Sequence, residues 1–187
     1  SLDKNGFKEV GIISYTAKYS SAYYGPFRTA LDSAPRSNSN KTIPTDKSSY
    51  QMDPANAKEA FIECALDQYE GADILMVKPG LSYLDIIYRL NNFSNKPIAA
   101  YNVSGEYSMI KAASLKGWIE EKDVVLETLL SFKRAGAKLI LTYHACDAAN
   151  WLKETWKLIK LIFIVYSYIN KLKNLKLENS KGVNRIG

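Results

Sequence analysis

Four short runs, apolar almost from end to end, constrain this fold more than any other feature: VGIISY (10–15), ADILMV (72–77), PIAAYNV (97–103) and AKLILTY (137–143). A strand with one solvated face alternates apolar and polar residues, whereas a strand without that alternation is covered on both faces. Segments of helical length separate the runs. NAKEAFIECALDQYEG (56–71) predicts a helix with Ala60, Phe61, Ile62, Ala65, Leu66 and Tyr69 near one face, stopping at Gly71. LSYLDIIYRLNNF (81–93) and EKDVVLETLLSFKRAG (121–136) predict two more, the latter capped by Gly136. Strands alternating with helices imply a parallel sheet covered by helices.

Two α/β architectures satisfy this pattern: a small doubly wound sheet and half of a (β/α)8 barrel. The barrel has specific support. A polar residue with chemical potential ends or follows each run, namely Lys18, Lys78, Ser104 and Tyr143, and barrel active sites gather at the C-terminal rim. A whole barrel takes about 250 residues, and this chain has 187. The expectation is the C-terminal half of a TIM barrel, about four βα units within residues 1–152. The opening SLDKNGF reads like the end of a helix entering a turn, so a preceding N-terminal part is expected.

The net charge of +6 is confined to the tail. Residues 1–152 carry 17 basic and 17 acidic side chains, whereas residues 153–187 carry eight and two. Such a tail can attract nucleic acid or anionic lipid; the body gives no such signal. The run LIFIVYSYIN (161–170) is shorter than the roughly 20 residues a spanning helix needs. Two cysteines, Cys64 and Cys146, make no disulfide framework. Cytoplasmic residence is expected, with no nucleic-acid or membrane partner for the body.

The chemistry points to Lys78. It ends a buried run and is followed by Pro79 and Gly80. A lysine amine attacks a carbonyl only when uncharged, which its reference pKa of about 10.4 makes rare. Burial and a neighbouring cation both disfavour the ammonium, and Lys18 is placed to be that cation. Two lysines at one rim suggest Schiff-base chemistry; taken singly, each could as well snorkel to solvent or pair with an acid. Between Tyr23 and Met52 runs a long connection, of the kind that forms lids. Arg28 and Lys47 flank it and offer charge for a carboxylate, whereas Arg36 and Lys41 read as a solvated loop. Ser104, Tyr101 and Tyr143 offer hydroxyls at strand ends, by themselves weak signals. His144 and Cys146 lie two apart without further ligands nearby in sequence, a thin basis for a metal site.

Together, SYTAKYSSAYYGPFRTALDSAP, DKSSYQMDPANAKEA, GADILMVKPGLSYLDII, AAYNVSGEYSMIKAA and KRAGAKLILTYHACDAANWL resemble the porphobilinogen synthase (5-aminolevulinate dehydratase) family from about residue 1 to 152. MVKPG with YGPFR is highly specific. The resemblance implies a lyase that condenses two 5-aminolevulinate molecules to porphobilinogen with loss of two waters, for tetrapyrrole synthesis. It implies that Lys78 forms the Schiff base with the first substrate and Lys18 engages the second. It further implies that Arg28, Lys47 and Gln51 bind the second substrate's carboxylate and that Ser104 and Tyr143 bind the first's. Tyr101 would wall the reacting centre, and Glu63 would match an allosteric magnesium site. A divalent metal, magnesium or zinc, and a homo-octamer are implied for the intact enzyme. Its catalytic metal ligands, oligomerising arm and first barrel half would lie outside this sequence. A plastid-bearing host would make the location organellar.

Lys47 stands where many members have arginine, and His144 where an aromatic is common. Residues 153–187 match nothing in the family and read as a divergent helix or as translation past the natural end. Three rival readings remain: a class I aldolase-like Schiff-base enzyme, which leaves Lys18 and the YGPFR segment unexplained; an inactive truncated product; and a basic-tailed binding module.

Overall fold

The structure is a computed structural model that describes residues 2–30 and 48–154. Lys47, Arg36, Lys41 and the basic tail from residue 155 onwards lie outside the described residues.

The four apolar runs form the four strands of one parallel sheet: β1 Ile13–Lys18, β2 Ile74–Lys78, β3 Ile98–Asn102 and β4 Leu139–Thr142. Their spatial order is their order in the chain, β1-β2-β3-β4. A doubly wound sheet reverses its strand order at a switch point. This sheet never does, so of the two expected architectures it has the barrel's sequential winding. β1 begins and ends three residues later than the sequence pattern indicates, so Lys18 is its last residue rather than a residue beyond it.

Helix α1 spans Gly25–Ala30, within the stretch read as an open connection. Helix α2 (Glu59–Glu70) links β1 to β2, and α3 (Leu84–Phe93) links β2 to β3. Two helices, α4 (Ser104–Leu115) and α5 (Glu121–Ala135), link β3 to β4, and α6 (Ala145–Glu154) follows β4. Among the described residues no helix is long and apolar enough to cross a membrane.

Alternate residues of a strand face opposite sides. Leu75, Val77, Ile98 and Ala100 are fully buried and share one core with Ile87 and Leu90 of α3 and Leu129 and Phe132 of α5. Met76 and Ala99, also buried, lie outside that cluster and face the other side with Lys78 and Tyr101. The helix-facing side therefore holds the sheet together, and the opposite side carries Lys78 and Tyr101. Gly136 ends α5 at φ 110°, and a Cβ there would stand 2.5 Å from Asn91 Cγ. Only glycine adopts that turn readily while letting α3 come so close.

Helix α2 corrects the expected apolar face. Ala60 and Cys64 are buried, whereas Ile62, Leu66 and Tyr69 are exposed. Small residues let the helix lie close to the sheet, and the larger apolar side chains of the sequence stripe point away from it.

Candidate functional site

Lys18 and Lys78 are the last residues of adjacent parallel strands and are direct register partners. Both belong to the side facing away from the main helix core. Lys78 sits among aromatic rings, its Nζ 4.2 Å from the centre of Tyr101, 4.9 Å from Tyr15 and 5.6 Å from Tyr24. Burial, and after it the Lys18 ammonium, lowers the Lys78 pKa to about 8. The ring faces attract a cation and oppose that loss of charge; desolvation prevails.

Tyr101 is the penultimate residue of β3, and its phenol is pushed up to about 12, first by burial and then by a hydrogen bond with Tyr143. Tyr143 directly follows β4 and is 46% exposed. Lys78, Tyr101, Ser104 and Tyr143 line one narrow pocket with Tyr24 and Phe27. Four expected site residues thus converge from three strand ends.

The YGPFR segment closes one wall of this pocket. The Tyr24 hydroxyl reaches the carbonyls of Tyr19 and Lys78, each at 3.0 Å, which ties the segment to the ends of β1 and β2. The Ser104 hydroxyl accepts from the Phe27 N–H at 3.1 Å and lies 3.4 Å from the Tyr23 carbonyl. A substrate carboxylate would have to share Ser104 with that segment. A Cβ on Gly105 would stand 2.4 Å from the Tyr23 oxygen, so the contact requires glycine. Arg28, on α1, places its guanidinium 5.5 Å from the Tyr24 ring centre and is not part of the pocket lining.

The Lys18 flank is different. A cavity of about 360 Å³ is lined by Tyr15, Thr16, Lys18, Gln51, Glu59 and Glu63. Gln51 is brought there by Met52, whose N–H donates to the Lys18 carbonyl at 3.0 Å while its own carbonyl accepts from Ser20 at 2.9 Å. Thr16 Oγ1 and Gln51 Oε1 are buried there without a hydrogen-bond partner among the described residues.

Glu106 is a residue the sequence reading missed. It is 1% exposed, on the first turn of α4. Its carboxylate accepts from the Val103 N–H at 2.6 Å and the Leu81 N–H at 2.7 Å. Burial raises its pKa, and the backbone N–H groups of Val103, Leu81, Gly80 and Ser82 oppose that rise. One side chain thereby caps α4 and pins the turn that follows Lys78. The signal was a glutamate at the third position of a helix, obscured because the cap residue is Val103 rather than a hydroxyl or Asx residue. Of the pair two apart noted in the sequence, His144 is buried and Cys146 exposed.

The family model for delta-aminolevulinic acid dehydratase matches residues 1–151. The delta-aminolevulinic acid dehydratase of Synechocystis sp. is 60% identical over 154 residues, which is 82% of this chain and 45% of that protein. That of Bacillus subtilis is 57% identical over 154 residues, again 82% of this chain and 45% of the relative. Among solved structures, the Toxoplasma gondii delta-aminolevulinic acid dehydratase (porphobilinogen synthase) in complex with the reaction product porphobilinogen superposes with a TM-score of 0.77. It is 49% identical, and the match covers 87% of this chain and 46% of that one. The chain therefore spans less than half the length of these relatives.

Proposed function

This chain belongs to the delta-aminolevulinic acid dehydratase family, and on that premise we propose that it carries the two-lysine part of a porphobilinogen synthase active site. The observation that carries the reading is the adjacent pair of amines, one of them with its pKa lowered to about 8 by burial and by the other. At neutral pH such a lysine is uncharged far more often than a solvated one. Its lone pair adds to the ketone of one 5-aminolevulinate, and the carbonyl oxygen leaves as water. The carbon beside the second molecule's ketone then bonds to the imine carbon and the Lys78 amine leaves. The first molecule's amine adds to that ketone, whose oxygen departs as the second water, closing the pyrrole.

Lys18 is assigned to the second substrate. Ser104 and Tyr143 would hold the first carboxylate, and Tyr101 would wall the reacting centre. Arg28, with Lys47 and Gln51, is assigned to the second carboxylate, which requires Arg28 to turn from the Tyr24 ring. Holding both molecules replaces a bimolecular encounter with a positioned one, an advantage worth up to about 7–11 kcal/mol.

Glu63 is proposed to hold a magnesium ion with Glu59. The donor set fits a hard cation: two carboxylates and, on the same cavity lining, the orphaned oxygens of Thr16 and Gln51. When bound, the ion supplies positive charge on the Lys18 flank. Among the described residues no cysteine cluster adjoins the lysines, since Cys64 belongs to the helix-side core, and no step is assigned to a catalytic metal here. The isolated chain is expected to turn over weakly, since β1 and β4 each pair on one side only among the described residues and Ile13 and Tyr15 on β1 are exposed. Homo-oligomeric assembly is proposed for the intact protein.

Borohydride reduction in the presence of 5-aminolevulinate tests the reading. The expected outcome is one secondary-amine adduct on Lys78, located by peptide mass. An adduct formed only with a sugar phosphate, or only on surface lysines, would overturn it.

A further inference from the structure

Outside the two-lysine rim, three chemistry-bearing side chains from three separate elements meet at one point. Glu121 is the first residue of α5, Asp147 lies in the first turn of α6, and His144 sits between β4 and α6. One potential ligand atom from each lies within 4.8 Å of the other two. His144 Nδ1 is 3.8 Å from Glu121 Oε1.

Acids in first helical turns need no ion to explain them, since the helix dipole favours them there. The histidine is not explained that way. Its side chain is 1% exposed, and neither ring nitrogen has a hydrogen-bond partner among the described residues. The ring is also held in place. The backbone N–H of His144 donates to Thr142 Oγ1 at 3.2 Å, and Thr142 donates in turn to Asn102 at 3.0 Å. Tyr107 packs against the imidazole with ring centres 4.5 Å apart. A buried imidazole that makes no hydrogen bond is costly, and a cation between ring and carboxylates removes that cost.

We propose that Glu121, His144 and Asp147 form a binding site for a first-row divalent cation of the zinc type. One imidazole and two carboxylates suit the borderline cations rather than the alkaline earths, and the carboxylates balance the ion's charge. Lys111 currently holds Glu121 through a 2.7 Å contact to the same oxygen that faces His144. Its side chain is 37% exposed, so it can swing into water when an ion arrives. Lys111 is thus a competitor of the ion. The site uses none of the residues assigned to the condensation proposed above.

Cobalt(II) titration of the full 187-residue chain in excess magnesium, which keeps the Glu59 and Glu63 carboxylates occupied, tests this by visible absorption. The expected result is one ion per chain, with the bands of a nitrogen and oxygen site and no thiolate charge-transfer band. His144→Phe should abolish the bands with the circular dichroism unchanged. Asp147→Asn, at an exposed position, should weaken binding at least about tenfold. Lys111→Met should tighten binding severalfold, the opposite of what loss of a stabilising ion pair alone would do. No uptake by the wild-type chain, uptake indifferent to both His144→Phe and Asp147→Asn, or a thiolate band that disappears in Cys146→Ser would each overturn the proposal.

Discussion

The two flanks of the rim end on the same residue type and yet differ in almost every other respect. Around Lys78 the walls are aromatic and close, built from Tyr101, Tyr15, Tyr24 and Tyr143. Around Lys18 they are open and acidic, with Glu59 and Glu63 on a cavity of about 360 Å³. The central strands β2 and β3 bury most of their residues, whereas β1 buries only Thr16 and Ala17. A lysine ending a central strand is desolvated by its surroundings, and one ending an outer strand supplies charge to its neighbour. The difference teaches that the two amines are not equivalent copies. One is built to lose a proton, and the other helps it do so.

This asymmetry can be broken by experiment. Lys78→Met should abolish the borohydride-trapped 5-aminolevulinate adduct, whereas Lys18→Met should leave a trappable Lys78. Equal loss from both variants would make the amines interchangeable. Trapping on the wild-type chain should rise with pH to half-maximum near 8, the value to which Lys78 is lowered. In Lys18→Met that midpoint should move upward, because one of the two causes is gone. It should stay below 10.5 because burial, the larger cause, remains.

The same shift has a consequence for stability. The folded pKa of about 8 lies below the unfolded 10.5, so between those values the unfolded chain binds more protons and stability rises with pH. Below about 8 both states are protonated and the slope vanishes. Stability measured by urea unfolding between pH 7 and 9, below the range in which the buried tyrosines titrate with the opposite sign, should rise more steeply in the wild type than in Lys78→Met.

Smaller effects are expected from the supporting residues. Glu106→Gln replaces a carboxylate that accepts two short backbone bonds with an amide that offers one acceptor and one donor. A loss of about 2–4 kcal/mol in urea unfolding is expected, from charge-assisted bonds worth about 1.5–3 kcal/mol each. Tyr143→Phe removes one hydrogen bond to Tyr101, worth about 1 kcal/mol. Its readout is the Tyr101 titration, followed by ultraviolet absorbance, which should shift downward. An unchanged Tyr101 would mean that burial alone sets its pKa.

The strands were legible in the sequence because apolar runs such as ILMV and PIAA have no polar partner positions to mislead. Lys78 was legible because it ends one of those runs, whereas Lys18 lies three residues past its run and closes a strand that starts later than its apolar text. The face of α2 was not. Its stripe of Ile62, Leu66 and Tyr69 is apolar, but periodicity records apolarity and not which stripe the sheet will accept. Helix α4 was hidden by its opening Ser104-Gly105, which reads as a turn; here the glycine serves close packing against Tyr23. Glu106 and the Glu121–His144–Asp147 cluster were invisible for a different reason. Each depends on residues brought together by tertiary contact, Leu81 with Glu106 across 25 positions and Glu121 with His144 across the whole of α5 and β4.

The pairing of Lys18 with Lys78 in strand register has one more consequence. Adjacent strands stand about 4.8 Å apart whatever loops connect them. The gap between the backbones of the two lysines is therefore ruled by main-chain hydrogen bonding rather than by loop length. Connections elsewhere in the barrel can lengthen, shorten or drift in composition without retuning that gap, and only a slip of one strand against the other would undo it.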